Sequence, residues 1–202
     1  MVVLTAIVVA GCTSPIASPA ATPVPSPTPH TPLTSTLLQI TDVPTGLARC
    51  PNSGSFDAYV DSLKSSDANL ANEWSDLKKA GVTDAAINIF AADQSACSAE
   101  LGAAPNVKAA TSLVLAFGDE GQADRAWQAG ILGFAPPVPG EQPPGVSRGV
   151  STGLGQSSWT YVKAPVQMAT WRKKIFVALV VFTNLDTASF SAGAATVNAR
   201  LT

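Results

Sequence analysis

Two serines sit in overlapping Gly-x-Ser-x-Gly frames, Ser147 between Gly145 and Gly149 and Ser151 between Gly149 and Gly153. A serine nucleophile in that frame needs a strand, a sharp turn and a helix around it, and a downstream histidine to take its proton. Here a strand follows, and the sequence's single histidine, His30, lies upstream. Ser75 and Lys78 match a Ser-x-x-Lys acylation motif, but they fall mid-helix and no Lys-Thr-Gly accompanies them. Gly153-Leu154-Gly155-Gln156 lacks the Gly-Lys-Ser/Thr of a phosphate-binding loop and reads as a turn. The carboxylate pairs Asp57/Asp61 and Asp119/Glu120 have the right chemistry for acid–base work, yet they lie where helix faces and N-termini collect charge. Arg172-Lys173-Lys174 is the basic run, read as a solubilising hairpin turn or a contact for anionic lipid or wall polymer. These patterns predict no catalytic residue, no metal site and no cofactor.

The N-terminus carries an address. Residues 2–10 are apolar except for Thr5, too short a run to span a bilayer and of the length of an export signal's apolar region. Val9-Ala10-Gly11-Cys12 resembles the lipobox of bacterial lipoproteins. That resemblance implies a signal peptide over 1–11, cleavage before Cys12, and palmitate-type acyl chains on Cys12 holding the protein at the outer side of the cell membrane. More than one chain is needed because a single acyl chain anchors only marginally. No Lys or Arg precedes the apolar run, from which a start codon upstream of Met1 is expected.

Residues 1–41 hold seven of the 16 prolines and none of the 26 charged side chains. The Ser/Thr/Pro/Ala-rich stretch after Cys12 reads as an extended tether, so 12–36 is lipidated cysteine plus tether. Residues 37–202 remain for one extracytoplasmic domain with one core. The composition excludes a polytopic membrane protein, a disulfide-dense mini-protein, a collagen and a coiled coil. A net charge of −2 on an exported chain also argues against nucleic acid as a partner.

With Cys12 lipidated, Cys50 and Cys97 form an even pair in a compartment that permits disulfides. The bridge would close a loop of about 48 residues, worth roughly 4 kcal/mol in the chain-entropy account. Zinc would need further ligands, and a redox pair would need Cys-x-x-Cys spacing.

Periodicity then places the elements. Helices are expected from Ser55, from Asp67 to Gly81, from Asp93 to Gly102 (carrying Cys97 and Leu101), from Asp119, and from Asp186 with Phe190, Ala194, Val197 and Leu201 on one stripe. Strands are expected over 85–91, 111–117, 157–163, 166–172 and 175–183. The order predicts an α+β single domain, a mostly antiparallel sheet with helices packed on it. In the last strand both alternating faces are apolar, so it should be central and covered on both sides, or else border an apolar groove. Trp159, Tyr161 and Trp171 are the aromatic ligand-binding candidates, taken to share one sheet face, with ordinary core packing as the other reading. Residues 42–124 carry twelve acids against five bases, and 125–202 seven bases against two acids. Interleaved halves would neutralise each other; segregated ones would offer a charged docking face.

Leu37 to Gly46 (LLQITDVPTG), followed by Cys50, is similar to the Asp-Leu-Pro-x-Gly openings of exported lipoproteins of actinobacteria and their relatives. The later Gly153-Leu154-Gly155, aromatic strand, basic hairpin, apolar strand and closing helix are similar to the same proteins, and distantly resemble extracellular sensor-like domains of mycobacterial serine/threonine kinases. One cysteine pair in place of two departs from the kinase-sensor pattern. The resemblance implies a ligand-binding or sensing module without catalytic residues. The expected function is thus a non-enzymatic membrane-anchored lipoprotein that binds an apolar ligand, a cell-wall component or a partner protein. The alternatives are an envelope hydrolase and a purely structural envelope protein.

Overall fold

The computed structural model describes residues 32–104, 106–138, 140–141 and 143–202. The expected signal peptide, the expected lipidation site Cys12, most of the expected tether and His30 lie outside the described residues. The fold reaches back past the expected boundary at 37, because a 3-10 turn at Leu33–Ser35 already buries Leu33 in the core.

After two short edge strands, β1 (Ala48–Arg49) and β2 (Gly54–Ser55), Phe56, Tyr59, Val60 and Leu63 recur at helical spacing and form the buried stripe of α1 (Phe56–Leu63). Asp67 caps α2 (Ala68–Lys79) by accepting from the Leu70 N–H, and Leu70, Trp74 and Leu77 face inward. Two long strands follow, β3 (Val82–Ala91) and β4 (Ala109–Phe117), with Asp119 capping α3 (Glu120–Ala129). A short strand missed by periodicity follows, β5 (Val146–Arg148). The β6 (Ser158–Lys163), β7 (Val166–Lys173) and β8 (Phe176–Thr183) meander comes next, and Asp186 caps α4 (Thr187–Arg200).

The eight strands make one antiparallel sheet in the order β1-β3-β4-β8-β7-β6-β5, with β2 also paired to β3. The chain is α+β, as the element order requires. β8 is central, and both of its faces are covered. Val177, Leu179 and Val181 meet the core shared with α1, α2 and α3; Ala178, Val180 and Phe182 meet the core under α4 and the segment from Leu33 to Leu47.

Polar stitches hold that N-terminal segment down. The Leu38 N–H donates to Ser112 Oγ (3.0 Å), and Asn88 Nδ2 donates to the Leu38 carbonyl (2.9 Å). Asn88 and Ser112 are register partners on β3 and β4, so one cross-strand pair satisfies both backbone groups of a buried residue. On the same side Gly193 lets α4 approach β8 closely. A Cβ there would stand 2.9 Å from Phe182 Cζ and 3.3 Å from Leu38 Cδ2.

One expected helix is absent. In place of a helix from Asp93 to Gly102 the chain makes two 3-10 turns, Gln94–Ser98 and Glu100–Gly102, broken by Leu101 at φ 50°, ψ 24°. Asp93 still caps the first turn, accepting from Ser95 N–H. The expected disulfide is formed: Cys50 and Cys97 are bonded, with Cα atoms 5.5 Å apart.

Candidate functional site

The register of the sheet lines up Tyr161, Met168, Val181, Thr111 and Ile89 as one row across β6, β7, β8, β4 and β3. Side chains of such a row project from the same face. Over it runs the pair of 3-10 turns described above, a strap from Asp93 to Ala103. Between strap and row lies a cleft of about 400 Å³, lined by Glu100, Leu101, Ala103, Phe134, Tyr161, Val166, Met168 and Val181. Its volume falls in the usual range for small-molecule sites, about 300–1,000 Å³. The lining is aliphatic and aromatic, with one carboxylate, Glu100, at an exposed position on the rim.

The strap is fixed from four sides. Cys97 is bonded to Cys50, whose N–H donates to the Ile89 carbonyl (2.8 Å). Asn52 Nδ2 donates to the Cys97 carbonyl (2.7 Å). The Leu101 N–H donates to the Tyr59 hydroxyl oxygen (2.6 Å), and Thr111 Oγ1 donates to the Leu101 carbonyl (2.6 Å). A left-handed leucine is costly, on the order of 1–2 kcal/mol, and persists where surrounding bonds overdetermine it. Here both of its backbone groups are held by buried side chains. Burial pushes the Tyr59 phenol up to about 12, while its bond from Leu101 works in the opposite direction.

Burial raises the Glu100 pKa from its ordinary value, and the negative charges of Asp67 and Glu73 raise it further. None of these three carboxylates takes part in an ion pair among the described residues.

The aromatic candidates do not share one face. Tyr161 is half-buried and lines the cleft. Trp159 is in the next row of the same face, paired with Thr170, and is buried. Trp171 pairs with Ser158 and Ala178, points into the opposite core and is fully buried. The two-residue turn at Ala164-Pro165 sets this register, and alternation along β7 sends Trp171 to the other side. Glu100, Leu101, Phe134, Met168 and Val181 went unseen. Met168 and Val181 follow from Tyr161 by register; Glu100 and Leu101 were hidden by the expected helix, and Phe134 lies between α3 and β5, where no element was expected.

The other motifs have structural employment. Ser147 and Ser151 line a smaller hollow of about 220 Å³ beside α4, where Ser151 Oγ donates to the Arg148 carbonyl (2.8 Å). Asp57 accepts from Trp74 Nε1 (2.8 Å) and Lys78 Nζ (3.1 Å), and the Trp74 bond leads in holding its pKa below the ordinary value. Asp119 caps α3. In the basic hairpin, Arg172 pairs with Asp124 of α3 (3.0 Å), while Lys173, on the other face, donates to the Asn198 carbonyl near the end of α4 (2.9 Å). Two of the three cations therefore clasp helices. Among the described residues no group of three or more His, Cys, Asp or Glu is placed to hold a metal ion, and no helix is long and apolar enough to cross a membrane. Comparison with protein-family models, curated proteins and solved structures finds no match to this chain.

Proposed function

We propose that this protein is a membrane-anchored extracytoplasmic lipoprotein whose folded domain binds a small apolar molecule in the cleft beneath the 93–103 strap. The carrying observation is the cleft itself: an apolar floor on Tyr161, Met168 and Val181 of three adjacent strands, roofed by a segment fixed through a disulfide and three side-chain hydrogen bonds. Burial of apolar surface drives such binding at roughly 25 cal/mol per Å². A roof fixed in advance spares the ligand the entropic cost of ordering it. Tyr161 supplies a face for stacking and a hydroxyl at the cleft. The anchor reading rests on the Val9-Ala10-Gly11-Cys12 lipobox and the uncharged, proline-rich residues that follow. No step of this function requires a nucleophile or a base.

One paired experiment separates anchor from cleft. The Cys12→Ser protein should move from the membrane to the soluble fraction while keeping the wild-type thermal shift with neutral alkyl lipids. Continued membrane fractionation counts against the anchor. A lipid panel that leaves the melting temperature unmoved, with glycan fragments raising it, counts against the apolar cleft and favours a wall-component binder.

A further inference from the structure

The hollow beside α4 lies on the opposite face of the sheet from the cleft and has a different lining. Ser147, Thr160, Ala169, Val180, Ser112 and Asn88 form one row across β5, β6, β7, β8, β4 and β3. At the far end of that row the backbone of Leu38 uses Ser112 and Asn88. At the near end Ser147 and Thr160 line the hollow, where Ser191 of α4 joins them. None of these three hydroxyls has a hydrogen-bond partner in the chain among the described residues. Thr160 is the informative one, because it is only 8% exposed and its open side is the hollow. A buried hydroxyl left unpaired costs the fold stability, and valine, of the same shape, would spare that cost. The far wall is the 3-10 turn Gly149–Thr152, and it is firmly built. Thr152 Oγ1 donates to the Gly149 carbonyl (2.9 Å) and accepts from the Leu154 N–H (3.1 Å), while Ser158 Oγ donates to the Gly155 carbonyl (2.6 Å). No charged side chain lines the hollow. Arg148 and Lys163, the charged neighbours of Ser147 and Val162, alternate to the other face of the sheet, and Asp186 at the start of α4 is engaged by Ser189 through both oxygens.

We propose that this hollow is a second binding site, which takes one neutral sugar ring, free or at the end of a glycan. Its volume of about 220 Å³ is under the usual range for drug-sized ligands and suits a single ring. A hydroxyl both donates and accepts, so Ser147, Thr160 and Ser191 can pair with sugar hydroxyls in either sense. Leu154, Val162 and Ala194 supply an apolar wall for the C–H edges of the ring. A charged ring would bring its charge out of water with no counter-ion to meet it, so the site selects a neutral one. The stitched turn is fixed in advance, which lowers the ordering cost of binding.

The test titrates the isotope-labelled full chain carrying Cys12→Ser and follows its backbone amide resonances. The probes are the methyl glycosides of glucose, galactose and mannose, then glucuronate and protonated glucosamine, and octanol for the cleft. At least one neutral glycoside should shift Ser147, Thr160 and Ser191 saturably, and the charged rings should bind at least about tenfold more weakly. Thr160→Val keeps the shape and removes one hydroxyl, so affinity should fall about three- to tenfold while the melting temperature holds or rises. Ser191→Leu, at an exposed position on α4, should close the mouth of the hollow and abolish glycoside binding without touching octanol binding. Met168→Trp, in the cleft on the other face, should leave glycoside binding unchanged. A glycan ending in the bound ring that matches the methyl glycoside identifies a chain end as the occupant, and one that fails to bind identifies a free sugar; both support the ring assignment. No saturable shift at these three residues, equal affinity for the charged rings, or wild-type affinity in Thr160→Val overturns it, whatever octanol does in the cleft.

Discussion

Asp42 and Arg200 are 158 positions apart in the chain, yet Arg200 Nη1 stands 2.6 Å from Asp42 Oδ2. Arg200 Nη2 adds a second bond to Oδ1 (3.1 Å), and Nη1 also reaches the Leu37 carbonyl (2.7 Å). Asp42 in turn accepts from the Gln39 N–H (2.7 Å), closing the turn that leads into the domain. Burial opposes the Asp42 charge, but the Arg200 hydrogen bonds, the Gln39 N–H and the Arg200 charge outweigh it and hold the pKa below its ordinary 3.8. A depressed carboxylate contributes stability at pH values above its unfolded pKa and loses it as pH falls through the folded one. Asp42→Asn should therefore cost about 2 kcal/mol at neutral pH, lowering the melting temperature by about 4–8 °C. Melting curves should show the gap from wild type intact at pH 5 and closing only below the ordinary carboxylate range. A constant gap down to pH 2 would assign the loss to packing. The pair was half visible in the sequence, where acids gather early and bases late. Asp42–Arg200 and Asp124–Arg172 show the two halves neutralising each other at these points, but linear charge counts cannot say which acid meets which base.

At the scale of elements, the strap decides whether the cleft exists. Next to its end stands Gly102, at φ 70°, where an added Cβ would stand 2.9 Å from Ile89 Cγ2 and 3.0 Å from Thr111 Oγ1. Thr111 is also the residue that holds the Leu101 carbonyl. Gly102→Ala should cost about 2–3 kcal/mol from left-handed strain and overpacking together. It should also weaken alkyl-probe binding, because Leu101 can no longer lie against the row beneath it. A variant with wild-type melting temperature and wild-type probe affinity would show that the strap is not what shapes the cleft. The strap was misjudged because Asp93, Cys97 and Leu101 have helical spacing, and spacing cannot register a backbone reversal at a leucine. The capped helices α2, α3 and α4 were legible, each with an aspartate accepting from an N–H three positions on. Sheet register was legible in part. Tyr161 and Trp159 share a face by alternation alone, whereas placing Trp171 required counting through the turn at Ala164-Pro165.

Across the whole molecule the sheet has two unlike faces. One is covered by α4 and by the segment from Leu33 to Leu47, stitched through Asn88, Ser112 and Arg200. The other carries α1, α2 and α3 and leaves the cleft between row and strap. The apolar alternation of β8 foretold covering on both sides, and both sides are covered. Where the cover would leave a gap was not written in periodicity, since it depends on the strap and on Phe134. In the proposed function this gap receives an apolar ligand. Met168 lies in the middle of the floor, so Met168→Trp should fill the cleft while keeping an apolar side chain there. Calorimetric titration of octanol into wild type and Met168→Trp is the most direct measurement. Wild type should bind saturably with a negative heat-capacity change. Met168→Trp should lose at least about tenfold in affinity while still melting cooperatively. Equal affinity in the two proteins, or no saturable binding to wild type, would contradict it.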